Sequence, residues 1–484
     1  MRVASVDFSY ESTDPIFYES FWGWSMYDSL ISYDNKGNYI PQVAESWSLS
    51  ADGNTWTFKI RKDIKFHNGD PLTANDVKFS VDRFASKEST NPWSPYLRNN
   101  LNHTEVTDDY TFVYVTNKPE PPLVVPFAWT RILPQNYFNK VGQDAFRKAP
   151  VGSGPWKFVK HTPETRFEME ANTEHWRQVP YFERLINVQV PEEATRIAML
   201  KRGEVDIVEG ISTDRLVELE SQGFKVLTGV GLPTLWNISF PGTFSTTGPT
   251  GDIRVRQAIS YALNRQEISD TFYLGTAVPG GRWFMNPGTY GWDNSWQPEP
   301  YDPDRAKALL AEAGYPGAFA NPVINYYVTP GPGVDNALLF QSYMEEVGIQ
   351  LEVKIIDAVQ WGGMFFVRNV APDAPNVGAI FPWIFGSTFN AVYHSANMYT
   401  SGGVHSTGND AKADELYTKA TTELNPTLAA QYWSEFRAYV ETLYYNVGIV
   451  MIEPQLLISD QLGAFTENTH ISLADAYAGI QHAK

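Results

Sequence analysis

The chain has 484 residues, with 37 Lys+Arg against 55 Asp+Glu, 43% hydrophobic and 14% aromatic residues, and no cysteine. At roughly 150 residues per domain this length suits about three structural units with a sizeable core, and only 19% charged residues beside so many aromatics excludes a disordered chain. A net charge of −18 argues against a phosphate-tracking surface and hence against nucleic acid as partner; the missing cysteine excludes disulfides, thiolate-held zinc, iron–sulfur clusters and a thiol nucleophile. The longest apolar runs, Leu123 to Trp129 and Val447 to Ile452, fall far short of the roughly 18 residues a membrane helix needs. Met1 and Arg2 run straight into the strand-like Val3–Phe8 with no apolar leader, which leaves open a cytosolic chain or a mature exported one.

In chain order, Thr13-Asp14-Pro15 marks a turn and Tyr27 to Tyr33 a short buried helix or strand, followed by the turn Asp34 to Asn38. After the turn Ala51-Asp52-Gly53-Asn54, Trp56, Phe58 and Ile60 alternate with polar residues, the period-two pattern of a half-buried strand. Asn68-Gly69-Asp70-Pro71 turns again, and Thr73 is placed to cap a helix carrying Val77, Phe79, Val81 and Phe84. Tyr110 to Thr116 reads as a strand. Val151-Gly152-Ser153-Gly154-Pro155 is a turn feeding the strand Trp156–Val159. The strand Leu185 to Val190, the helix Glu192 to Arg202 closed by Gly203, and the strand Val205 to Val208 make a βαβ unit, so part of the sheet is parallel.

Further on, Asp252 caps a helix with Val255, Ala258, Ile259, Ala262, Leu263 and Ile268 on its apolar face. Asp302 caps another, with Pro303 in its first turn, Ala306, Leu309, Leu310 and Ala313 inward, and Gly314 at its end. Leu338 to Val347, Asp410 to Thr422 and Thr427 to Tyr445 follow helical patterns, and Leu351 to Ile356 a strand. No internal repeat or low-complexity tract is present; Pro279–Gly291 and Thr329–Gly333 read as long surface or cleft loops.

Several of these segments carry a resemblance: Tyr27-Asp28-Ser29-Leu30; Pro41 to Trp47; Trp56 to Arg61; Phe66 to Val77; Val151 to Trp156; Gly203 to Ile207; Asp252 to Ala262; and Tyr301-Asp302-Pro303 leading to Leu309 through Pro316. In this order, over nearly the whole chain, they resemble family-five solute-binding proteins, the extracytoplasmic receptors of ABC importers for oligopeptides, dipeptides, nickel chelates, opines and some oligosaccharides. The resemblance implies an α/β, two-lobed periplasmic-binding-protein fold (type II, cluster C). Its first lobe is expected from residues 1–40, 151–236 and 448–484, an inserted subdomain from 41–150, and a distal lobe from 237–447. It further implies a monomeric, exported, periplasmic or extracellular receptor in which Met1 stands where a leader was removed, with a lipid anchor before processing left open. Two halves close on a ligand that leaves unchanged, and an ABC permease in the membrane recognises the closed form.

The shared motifs read as structural. Asp52-Gly53, Asn68-Gly69 and Gly152-Ser153-Gly154 are turn devices, and no Gly-Lys-Ser/Thr follows to make the last a phosphate cradle. No Gly-x-Ser-x-Gly elbow or His-Glu-x-x-His is present, and Glu192-Glu193 complement a helix dipole, so no enzyme and no cofactor is expected. His394 and His405 lack a third ligand at metal spacing. In the family the ligand is gripped by the opening segment, the strand after the second crossover and distal-lobe loops. Carried over, these give Trp22, Trp24, Trp236, Asn237, Trp361, Trp383, Phe385 and Ser387 as ligand-binding residues, with core tryptophans as the alternative. Peptide-binding members also carry an Asp shortly after a distal-lobe Trp, which pairs with the peptide amine; Trp383 to Asn390 contains no acid. An ammonium buried without a counter-charge costs several kcal/mol. That absence and the stackable tryptophans favour a short oligosaccharide or glycoside, with a peptide as alternative and a nickel chelate or opine third. Arg131, Arg282 and Arg368 are candidate clamps for a carboxylate or phosphate.

Overall fold

The computed structural model describes residues 1–8, 11–17, 21–34, 38–91, 93–228, 234–241, 248–280, 297–315, 321–330, 333–365, 377–386, 391–401, 403, 410–465 and 477–482. The chain divides into two compact units, one of residues 1–211, 215–232 and 454–484 and the other of 212–214 and 233–453.

The first unit is built on a seven-stranded sheet in the order Lys225–Thr228, Gln455–Ile458, Ile207–Val208, Arg2–Ser5, Arg184–Gln189, Arg166–Ala171 and Trp156–Thr162. The βαβ reading holds, with helix Glu193–Lys201 between its strands. The N-terminal strand lies between those two strands and is parallel to both, a long-range pairing that no local pattern contains. Successive residues of the central strands alternate between two cores. Val3, Ile207, Leu456 and Ile458 join one cluster with Phe8, Met26, Trp156 and Phe167, while Ala4, Val208 and Leu457 join another with Leu200, Leu216 and Leu219. A sheet covered on both faces must be apolar at consecutive positions, which is why these strands read as runs rather than alternations.

An antiparallel sheet in the order Ala44–Leu49, Thr55–Ile60, Thr111–Thr116 and Leu101–Asp108 belongs to the same unit. Trp56, Phe58 and Ile60 are buried as their alternation requires. Helix Ala74–Ala85 packs beside this sheet; the Asp76 carboxylate accepts from the Thr73 amide at 2.9 Å and hydroxyl at 2.8 Å, tying off its first turn. The segment Tyr27 to Tyr33 resolves as the strand Ile31–Tyr33, paired with Tyr39–Pro41.

The second unit holds an antiparallel sheet in the order Ala277–Pro279, Asn446–Ile452, Thr234–Ser239 and Phe381–Gly386, and a parallel pair Val323–Val328 and Gln350–Ile355. From helix Ile253–Tyr261, Val255, Ala258 and Ile259 enter one core with Ala306, Leu309, Leu310, Phe340 and Val447; that helix is shorter than expected, and Ala262, Leu263 and Ile268 reach the same core from beyond its end, where Asn264 caps a new turn. Asp252 caps helix Ile253–Tyr261 and Asp302 caps helix Pro303–Glu312, each through its side chain. The helix expected over Thr427 to Tyr445 runs only from Pro426 to Glu441; Tyr444 takes φ +49° and the chain then enters the strand Asn446–Ile452. Most of the Pro/Gly-rich stretch 279–291, and two of the residues in 329–333, lie outside the described residues.

Candidate ligand-binding site

In the first unit a short 3-10 helix, Phe21–Met26, carries Trp24, which is 8% exposed. The Trp24 ring meets Trp129 edge-on at 5.1 Å, Trp129 stacks on Trp93 at 5.3 Å, and the Arg131 guanidinium lies 4.8 Å over the Trp24 face. Stacking on indole is favourable for guanidinium, whose planar fork is matched to a carboxylate. Trp93 and Trp129 were absent from the sequence expectation: each is a single aromatic outside any periodic pattern, and only folding brings them together.

The chain just after Trp24 is held by backbone-to-backbone contact. A Cβ on Gly152 would lie 1.9 Å from the Met26 carbonyl oxygen, and one on Gly154 would lie 2.4 Å from that of Ser25. The glycines of this turn therefore serve close approach, not phosphate. His67 closes the turn, accepting from the Gly152 amide at its Nδ1 (3.3 Å), which leaves the hydrogen on Nε2 to reach the Gly154 carbonyl (2.9 Å). Burial, the largest influence, lowers His67 to about 4 and keeps it neutral. Asp28, 1% exposed, opposes the other side of the segment. Burial alone would raise its carboxyl, but His175 Nε2 at 3.4 Å, Arg177 at 3.8 Å and the Trp176 indole N–H at 3.1 Å outweigh it and bring it to about 2. The Asp28 carbonyl accepts from Ile132, and Ser29 bridges to Arg131, so the same anchor positions the residues below Trp24.

In the second unit the neighbours Trp236 and Asn237 part company, because successive strand residues face opposite sides. Trp236, expected at the ligand, is fully buried in the core with Ile238, Phe240 and Val255. This is the core placement that the sequence left open as the alternative for these tryptophans. Asn237 is also without exposed surface, yet its Oδ1 has no hydrogen-bond partner among the described residues, its Nδ2 donating to the Leu235 carbonyl at 3.3 Å. An unpaired buried acceptor costs about 1–3 kcal/mol unless something arrives to satisfy it. Backbone register sets Asn237 opposite Trp383 on one side and Gly448 on the other, and Leu235 opposite Phe385.

Trp361 sits on helix Ala358–Phe365, whose start is fixed by the Asp357 carboxylate accepting from the Gln360 amide at 2.8 Å. Its ring stacks on Phe365 at 4.7 Å and meets Phe381 edge-on at 5.8 Å, and Phe381 pairs with Ser239 on the strand of Asn237. Trp22, Trp383 and Phe385 are described in backbone only, as is His394, while Ser387, His405, Arg282 and Arg368 lie outside the described residues. Among the described residues, no three His, Cys, Asp or Glu gather as a metal site, and no helix is long and apolar enough to cross a membrane.

Residues 38–406 match the family described as bacterial extracellular solute-binding proteins, family 5 middle. A putative ABC transporter peptide-binding protein of Brucella ovis is 26% identical over 380 residues, covering 76% of this chain and 69% of its own length. Among solved structures, the periplasmic binding protein DppA of Helicobacter pylori, in complex with the peptide STSA, has a TM-score of 0.83 at 20% identity and covers 100% of this chain and 98% of its own. MoaA of A. tumefacien R10, in complex with mannopinic acid, has a TM-score of 0.83 at 23% identity and covers 100% of this chain and 99% of its own. The two structures fix the fold as that of a periplasmic binding protein. The chain thus belongs to the family 5 bacterial extracellular solute-binding proteins, and it is a transport receptor for an ABC importer, not an enzyme.

Proposed function

We propose that the solute this receptor binds is a short peptide. The observation that carries the reading is the buried Oδ1 of Asn237, which has no partner among the described residues: an acceptor held in a sheet suits an amide or ammonium N–H of the ligand, whereas a sugar hydroxyl would be served equally by many groups. The relatives support it as well, since the Brucella ovis protein is named for peptides and the Helicobacter pylori structure holds one. The oligosaccharide expectation drawn from the tryptophans gains no such support. In the second unit we assign Asn237, Trp361, Trp383, Phe385 and Ser387 to the ligand; in the first, Trp22 and Trp24, with the Arg131 fork receiving a carboxylate. With no acid in Trp383 to Asn390, the peptide amine takes its acceptor from groups such as Asn237.

An opine is the second reading, favoured by the same missing acid and by the likeness to a mannopinic acid complex. A thermal-shift screen of di- to pentapeptides, mannopinic acid, nickel–histidine and short oligosaccharides decides between them. Saturation at about 100 times Kd stabilises by about 2.7 kcal/mol, a readily measured shift. Stabilisation by peptides is expected; a response confined to mannopinic acid selects the opine, and one confined to sugars overturns both.

A further inference from the structure

The strand Asn446–Ile452 does not pair evenly with Thr234–Ser239. Trp236 stands opposite Val450 but Asn237 opposite Gly448, so Ile449 is an extra residue bulged between them. Bulges re-aim the side chains beside them. This one has a dedicated clamp. Arg265, 4% exposed, donates from Nε to the Gly448 carbonyl at 2.8 Å. The rest of its guanidinium is fixed in turn: Nη1 donates to the Ser260 carbonyl at 3.1 Å and the Glu299 carbonyl at 3.3 Å, and Nη2 to the Ser260 hydroxyl at 3.0 Å. That hydroxyl donates to Glu299 Oε2 at 2.7 Å, and Glu299 Oε1 accepts from Tyr444 at 2.7 Å, at the left-handed residue that launches the strand. Both the entry of the strand and its bulge are thus tied to one buried network. The residue facing Asn237 across the bulge is a glycine, which adds no side chain over the amide.

We propose that Arg265 is a positioning residue for solute recognition: by holding the Gly448 carbonyl it fixes the bulge opposite Asn237, and with it the direction in which the Asn237 amide oxygen is presented. This rests on Asn237 being the ligand's acceptor, as argued above. Arg265→Lys keeps the charge but cannot bridge three carbonyls and a hydroxyl from one rigid fork.

Two measurements on the full chain test it. The first needs no ligand. Trp236-Asn237 is the one Trp-Asn pair in the sequence, so carbonyl-13C tryptophan with 15N asparagine isolates the Asn237 backbone amide by NMR. Arg265→Lys should move that resonance, while Leu310→Ala, a core truncation in the same unit, should lower the melting temperature and leave it in place. The second is affinity for trialanine. Arg265→Lys should weaken it about tenfold, and the double variant with Asn237→Ala should bind no worse than Asn237→Ala alone, because coupled sites are non-additive. An unmoved resonance in Arg265→Lys, an equal movement in Leu310→Ala, or additive affinity losses overturns the proposal. Failure of trialanine and other peptides to bind the unaltered protein defeats the peptide reading instead, and the resonance still judges Arg265. If Arg265→Lys does not fold, Ser260→Ala, which removes one partner of the fork, takes its place with a smaller shift in the same direction.

Discussion

The two units hold their candidate ligand residues by different means. In the first, Trp24 follows from main chain pressed on main chain: Gly152 and Gly154 lie so close to Ser25 and Met26 that no side chain fits between. In the second, Asn237 follows from guanidinium groups gripping carbonyls, with Arg265 on Gly448 and Arg256 donating to Thr250 at 2.6 Å and Leu443 at 2.9 Å. Steric contact has no intermediate state, whereas a fork of hydrogen bonds can be weakened one bond at a time. The first arrangement suits a fixed platform, and the second an orientation that sequence change can tune.

The sharpest way to break this comparison is Gly152→Ala. With a Cβ 1.9 Å from the Met26 oxygen, the backbone must move, and a cost of at least about 3 kcal/mol is expected, enough to abolish folding of the first unit. Hydrogen exchange read by mass spectrometry should show protection lost around Ser25–Ser29 while helix Pro303–Glu312 keeps its own; near-native protection everywhere contradicts the close-approach account. Trp236→Ala comes next. Emptying a fully buried indole site should cost about 3–5 kcal/mol in the second unit. Trp24→Ala, by contrast, should lose far less stability for its loss of peptide affinity. If the two variants show the same ratio of stability loss to affinity loss, the assignment of Trp236 to the core fails.

What the sequence made legible was local. The alternation of Trp56, Phe58 and Ile60, the caps Asp252 and Asp302, and the apolar face of Val255, Ala258 and Ile259 rest on neighbours three or four residues away or two apart, and all appear in the structure. The family motifs were visible too, though only the fold gives their reason: Gly152 and Gly154 for close approach, Asp28 for its His175 and Trp176 contacts. What stayed hidden depends on distant pairing. The central place of Arg2–Ser5 in its sheet, the meeting of Trp93 with Trp129, and the bulge that separates the roles of Trp236 and Asn237 leave no periodic trace. The helix expected to reach Tyr445 stops at Glu441 because the chain must turn at Tyr444 to enter a strand, and apolar spacing does not register a positive φ.

Two buried groups in the first unit titrate in opposite senses. Glu120, 1% exposed, is raised by burial from its ordinary 4.5 to about 7, against the Tyr96 hydroxyl at 2.6 Å and the Lys118 ammonium at 3.9 Å. Because the fold favours its protonated form, its contribution is fully present below 4.5 and is lost as pH rises through about 7, a change of about 3 kcal/mol. His67, facing Lys157, Asp28 and His175, is lowered from 6.5 to about 4; the fold favours its neutral form, so its contribution is present above 6.5 and lost as pH falls through about 4. Between 4.5 and 6.5 the two slopes oppose one another. Glu120→Gln should therefore uncover a loss of first-unit stability on acidification, and His67→Gln a loss on alkalinisation, in urea denaturation across that window. Two variants with slopes of the same sign would contradict both assignments.

The smallest expected effect separates the two helix caps of the second unit. The Asp302 carboxylate accepts from the Arg305 amide at 2.8 Å, on an exposed helix start, and Asp302→Ala should cost about 1 kcal/mol. Asp252 accepts from the Arg254 amide at 2.8 Å and also binds that residue's guanidinium at 3.0 and 2.5 Å, a pairing that is the chief cause of its lowered carboxyl pKa. The same guanidinium donates to the Glu312 carbonyl, the last residue of the helix that Asp302 starts. Asp252→Ala should then cost more, about 2 kcal/mol, and should loosen both helices in hydrogen exchange where Asp302→Ala loosens one. Equal costs, or protection lost in a single helix for both variants, would mean that Arg254 carries nothing between them and that guanidinium–carbonyl bonds matter less to the second unit than its construction around Arg256 and Arg265 implies.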